Sequence, residues 1–152
     1  MKIPKIGVYF IKNGKPVKKY TEDVRKDVLL IVGQYCQFYL NVKPLGLADF
    51  NTAQKKAAEI GKGWGCPDKY QGLTIIDHKT EIRKKIKALG SSLYFSYCFW
   101  TCKESTRKSD AALFWDISLE ICWDTEKNYS SCEVLAVSDF HSQFFDLGYE
   151  TK

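Results

Sequence analysis

Two aspartates and a lysine stand close together in Cys66-Pro67-Asp68-Lys69-Tyr70-Gln71-Gly72-Leu73-Thr74-Ile75-Ile76-Asp77-His78-Lys79. These side-chain types are sufficient to begin phosphodiester chemistry. Two carboxylates hold one or two divalent ions that polarise a phosphate and activate water, while a nearby ammonium places that water and offsets developing charge. Convergence needs a particular backbone. A tight hairpin about Gln71-Gly72, with Leu73 to Asp77 as a short strand, sets Asp77 and Lys79 on one face because side chains alternate. A two-residue turn then puts Asp68 opposite Ile75, diagonal to Asp77 on that same face.

The half-motifs Pro67-Asp68 and Asp77-His78-Lys79 resemble the PD-(D/E)xK nuclease superfamily, and GLTIIDHKT is similar to the DxK segment of viral cap-snatching endonucleases. The resemblance spans residues 67–80. It implies Asp68 and Asp77 as metal ligands, Lys79 as the catalytic lysine, Mg²⁺ or Mn²⁺ as the cofactor, and DNA or RNA as the substrate. Members of the family add an acidic residue from a preceding helix. Glu59 is the nearest such residue here, with Asp49 and Asp27 further upstream.

The same stretch has a purely structural reading. Pro67-Asp68 is ordinary turn chemistry, Asp77 or Thr80 suits a helix N-cap, and Ile82, Ile86 and Leu89 form the apolar stripe of a helix stopped by Gly90. Lys79, Arg83, Lys84, Lys85 and Lys87 crowd that helix, a density suited to phosphates contacted through charge and not through base edges. A third reading uses the two histidines as general acid and base of a phosphoesterase. His78-Lys79-Thr80 fits the required half-motif, whereas His141-Ser142-Gln143 lacks the matching hydroxyl.

The elements that must position these residues follow from pattern. Ile6 to Ile11 and Val17 to Tyr20 flank Asn13-Gly14, the strongest short signal for a type I′ hairpin. Thr21 then caps an expected helix to about Leu40, with Val24, Val28, Ile31, Tyr35 and Phe38 on one face. Phe50, Ala53, Ala57 and Ile60 mark a second helix ending at Gly61. Three aromatic and β-branched segments after residue 90 predict sequential antiparallel strands. A turn about Lys127 would set Asp116, Ser118 and Glu120 on the polar face of that sheet. Tyr94, Trp100, Trp115, Phe144 and Phe145 are read as packing residues. The expected fold is α+β, with an N-terminal β-hairpin and helices packed on an antiparallel sheet formed largely by the C-terminal strands.

Composition bounds the function. The chain has 152 residues, 45% of them apolar and 14% aromatic, which predicts a single domain over residues 1–152. The apolar run Ile6 to Ile11 is shorter than a signal-peptide core, and no run approaches a membrane span, so a soluble cytoplasmic protein without a membrane partner is expected. Six cysteines form no CxxC pair, which disfavours zinc and predicts reduced thiols. Residues 1–87 hold 18 lysines and arginines against 8 acids, whereas residues 88–152 hold 5 against 10. Two function classes emerge. One is a nucleic-acid-interacting, metal-dependent nuclease built on Lys79, Asp68, Asp77 and Glu59, with Arg83, Lys84, Lys85 and Lys87 contacting phosphates. The other is a non-enzymatic interaction protein, such as an inhibitor, immunity or accessory subunit, that meets a protein or nucleic-acid partner through its basic half.

Overall fold

Asn13 and Gly14 both take positive φ, 52° and 75°, as a type I′ turn demands. They join β1 (Gly7–Lys12) to β2 (Lys15–Val17) as the expected hairpin. The computed structural model describes residues 4–95 and 97–139.

The expected helix from Thr21 to Leu40 does not form. Residues 28–41 instead make β3 (Val28–Val32) and β4 (Gln37–Asn41), paired antiparallel with Val32 opposite Gln37. Val24, Val28, Ile31 and Phe38 do recur at helical spacing, but Val28 to Val32 is apolar at every position and every one of its side chains is buried. A run buried on both faces satisfies a central strand, and its β-branched residues favour that state. Gly33 turns the chain by donating its N–H to the Cys36 carbonyl at 2.8 Å, and Tyr35 at the tip is 89% exposed.

After β5 (Leu47–Ala48), the expected second helix appears as α1 (Phe50–Ala58), its first turn capped by Asp49, which accepts from Thr52 N–H at 2.8 Å. Phe50, Ala53 and Ala57 are buried, while Ile60 lies beyond the helix end. β6 (Trp64–Gly65) then leads to α2 (Lys69–Asp77) and, through His78, to α3 (Lys79–Ala88). The expected hairpin at Gln71-Gly72 is therefore a helix. Asp68 accepts from Gln71 N–H at 2.7 Å, and Gln71 accepts from Asp68 N–H at 2.9 Å, a reciprocal capping box that starts the helix three residues before the glycine. Gly72 is no turn residue. A Cβ there would meet the Trp115 indole at 2.4 Å, so its small size lets α2 seat against that ring. α3 ends with Gly90 at φ +72°; Gly90 N–H bonds to Lys87 and Ser91 N–H to Ile86, closing the last turn as a Schellman motif.

The C-terminal part holds β7 (Cys98–Glu104), β8 (Ala111–Asp116), β9 (Ile121–Glu126), β10 (Cys132–Glu133) and β11 (Val137–Asp139). The turn expected at Lys127 lies instead at residues 117–120, where Asp116 accepts from Leu119 N–H and Ser118 Oγ, both at 2.9 Å, and Glu120 has φ 59°. Asp116, Ser118 and Glu120 thus form a tight connection and not a polar sheet face. His141, Phe144 and Phe145 lie outside the described residues.

Two sheets result, ordered β2-β1-β3-β4-β11-β6 and β5-β10-β7-β8-β9, with β10 parallel to β7 and the other neighbouring strands antiparallel. The protein is α+β, although β1 to β4 make the first sheet more N-terminal than expected. One core draws Leu29, Ile31, Phe38 and Leu40 from the first sheet, Phe99 and Trp115 from the second, and Ile75, Ile76, Ile82 and Ile86 from α2 and α3. Each such side chain contributes about 1.5–3 kcal/mol when buried. All six cysteines are free thiols; Cys66, Cys98 and Cys132 sit in a smaller cluster with Trp100 and Ala53, where burial pushes the Cys66 thiol up to about 12. No helix among the described residues is long and apolar enough to cross a membrane.

Candidate functional site

The capping box places Asp68 before the first turn of α2 and Asp77 at its last residue. Nine residues of helical rise separate them by about 13 Å, so one metal ion cannot bridge them. Asp68 lines a cavity of about 240 Å³ with Gln71 and Asp139, where Gln71 Nε2 donates to Asp139 at 2.7 Å. Asp77 faces a different cavity, beside Tyr70 and Cys36. Glu59, the C-cap of α1, borders a third, next to Leu45 and Lys56. Lys79 turns toward the β8–β9 connection, donating to the Ile117 carbonyl at 3.0 Å and pairing with Glu120 at 2.7 Å. The four residues expected to share a centre are not brought together. Among the described residues no three His, Cys, Asp or Glu side chains are placed to hold a metal. Helix α2 separates the two carboxylates that the hairpin would have joined, so Asp68, Asp77 and Glu59 do not converge on one point as a shared ligand set. His78 links the two helices, with its ring Nδ1 3.0 Å from the Thr74 carbonyl.

The basic residues of α3 separate into two flanks. Ile82, Ile86 and Leu89 face the core, and at 3.6 residues per turn Arg83, Lys87 and Lys84 fall in one arc of roughly 100° while Glu81 and Lys85 share the opposite flank. Lys85 is structural. Its side chain is 13% exposed, its ammonium lies 4.9 Å from the Phe10 ring centroid, and Glu81 is 3.8 Å away. Burial, reinforced by the Lys18 charge and opposed by Glu81, lowers its pKa. Arg83 Nε donates to the Phe95 carbonyl at 3.0 Å while its guanidinium lies 5.6 Å from the Phe95 ring centroid, which fixes the fork and leaves its outer N–H groups to a ligand. Lys84 and Lys87 are exposed and have no hydrogen-bond or ion-pair partner among the described residues.

That acid-free arc opens on a cleft of about 320 Å³ walled by Ser91, Leu93, Tyr94 and Phe95, with Tyr94 67% exposed. The Schellman closure brings this wall back beside the helix, and Ser91 Oγ fastens it to the Val42 carbonyl. From below, Glu133 accepts the Tyr94 N–H. Glu133 is 4% exposed and its Oε1 has no partner among the described residues; burial pushes its carboxyl up to about 8, the Tyr94 bond opposing and Cys98 adding to the rise. Tyr94 is the residue that sequence reasoning assigned to packing. The available signal was position: an aromatic pair begins four residues after the glycine that stops a basic helix.

The chain matches no known family model and no curated protein. Its chemistry must be read from its own geometry.

Proposed function

We propose that the protein binds nucleic acid, holding a single-stranded DNA or RNA segment along α3, with phosphates on Arg83, Lys84 and Lys87 and an unstacked base on Tyr94. One observation carries this reading: of three cations with no acidic neighbour on their helical arc, Arg83 and Lys87 line a cleft with an exposed aromatic wall. Cations that track a backbone and a π-face that accepts any base are the two parts of single-strand binding. The split of cations between residues 1–87 and 88–152 supports the same sign of partner. In this arrangement the Lys79 ammonium is engaged by the Glu120 carboxylate and the Ile117 carbonyl.

Fluorescence anisotropy with labelled single and double strands across a salt series tests the proposal. For single strands each phosphate contact contributes about −0.7 to the slope of log K against log salt, so Arg83→Ala with Lys87→Ala should flatten it by roughly 1.4. Tyr94→Ala should cost about 1–3 kcal/mol with single strands, while Tyr94→Phe retains most affinity. An unchanged slope in the double variant, or duplex binding equal to single-strand binding, overturns it. A protein partner is the second reading, favoured by β9, which pairs only with β8 among the described residues and exposes Ile121 and Trp123 along that edge. An added extended segment would complete its main-chain hydrogen bonds.

A further inference from the structure

The largest cavity among the described pockets, about 570 Å³, lies on the outer side of α2 beneath the β3–β4 turn, and its chemistry is opposite in sign to the α3 cleft. Tyr35 and Tyr70 form its walls, 89% and 72% exposed, and Leu73 adds apolar surface at 42% exposed. Exposed aromatics gathered around one concavity are uncommon on a surface that has no use for them. The floor is rigid. Cys36 Sγ lies 3.3 Å from Thr74 Oγ1, and Gly33 lets the turn sit directly on α2, since a Cβ there would come within 2.5 Å of Thr74 Cγ2.

Asp77 supplies the charge at the rim, and its carboxylate has no hydrogen-bond or ion-pair partner among the described residues. Two further carboxylates, which line the neighbouring cavity, are felt at Cys36 on this floor. The Cys36 thiol is held above its ordinary value by burial first, and then by the charges of Asp68 and Asp139, with the Thr74 bond opposing. No lysine, arginine or histidine lines this cavity. In a chain of net charge +5, a local site with an unpaired carboxylate and two electron-rich ring faces is a place where the sign of the surface reverses.

We infer that this cavity binds a small organic cation, an alkylated ammonium with an apolar body, through ring-face contacts with Tyr35 and Tyr70 and the charge of Asp77. Ring quadrupoles attract a cation within about 6 Å of the centroid, and alkylated ammonium is the form least penalised by leaving water for an apolar wall. A neutral ligand of the same shape would gain the wall contacts and lose the charge. A strongly hydrated metal ion would gain little from the rings. The selectivity expected is therefore for the cation over its neutral isostere.

Choline and its uncharged isostere 3,3-dimethylbutanol are the probes, each titrated into the full chain and followed by backbone amide NMR. Choline should produce saturable shifts at Tyr35, Cys36, Tyr70 and Thr74, with the isostere weaker by about fivefold or more. Asp77→Asn and Tyr35→Ala with Tyr70→Ala should each weaken choline by a similar factor, while the unperturbed remainder of the spectrum shows that the fold is intact. Tyr35→Phe, which keeps the ring face, should retain binding. Equal binding of the isostere, an Asp77→Asn variant that binds choline as the parent does, or the absence of saturable shifts at tens of millimolar choline overturns the inference.

Discussion

α2 and α3 follow one another with only His78 between them, are nine and ten residues long, and bury isoleucines in the same core, yet the side chains they expose differ. α2 exposes Lys69 at its start and Tyr70, Leu73 and Asp77 around its cavity, whereas α3 presents Arg83, Lys84 and Lys87. The inward isoleucines of the two helices serve the same core, while α2 adds the buried Gly72 that seats against Trp115. The outward positions differ because nothing in packing constrains them. Where two elements share a core and differ outside it, the difference is where specificity is written.

Removing the shared support should disturb both surfaces at once. Ile82→Ala empties a fully buried site in the common core and should cost about 2–5 kcal/mol, read as a lower melting temperature with loss of both binding activities near that temperature. A change under α2 alone should separate them. Gly72→Ala drives a methyl into the Trp115 indole, and overpacking of this kind costs about 1–3 kcal/mol. Amide exchange should then accelerate in α2 and the adjoining turn 33–36, while the salt-dependent binding on α3 persists at low temperature.

The smallest effect sharpens the comparison through pH. Glu133 supports Tyr94 on the α3 side, and its folded pKa of about 8 is raised from an ordinary 4.5. A raised acid is protonated in the folded protein, so its contribution to stability is complete below pH 4.5 and is lost as pH rises through 8. Glu133→Gln removes the group that ionises and should raise stability at pH 8.5 by on the order of 2 kcal/mol, with little change at pH 4.5. Thermal unfolding of the two proteins across pH 4.5 to 8.5 gives the difference curve. Parallel curves would show that Glu133 is not held protonated, and the choline site beside α2 should remain indifferent to the substitution.

The parts of the fold legible in sequence were those with a local cause. Asn13-Gly14 requires positive φ at both residues, Asp49 caps α1, and Ile82, Ile86, Leu89 and Gly90 define α3 without help from elsewhere. Val28 to Val32 was misread because period 3.6 can be found within an unbroken apolar run, and only burial on both faces decides for a strand. Gln71-Gly72 was misread for a different reason. Its glycine answers to Trp115, more than forty residues away, and no local rule reports that contact. The error at the glycine propagated to the site: alternation along a strand would have joined Asp68 and Asp77, whereas helical rise separates them. The basic residues of α3 could be named from sequence, but their sorting into a structural Lys85 and an open Arg83, Lys84 and Lys87 depended on Phe10 and Glu81.

Residues 132–139 cross between the sheets. Cys132 and Glu133 pair with Ala48 and Leu47 and, on the other side, Glu133 lies opposite Phe99; Val137 to Asp139 then enter the first sheet between β4 and β6. During synthesis, therefore, strands made early must wait for this late segment before either sheet has its full set of neighbours. Until it arrives, β4 and β7 each offer an unpaired edge bearing buried-type side chains, the condition under which nascent chains associate with one another. The segment's pairings also span long sequence separations, which slows closure. This crossing segment thus acts as a latch on a folding reaction that the N-terminal hairpin can begin but cannot complete.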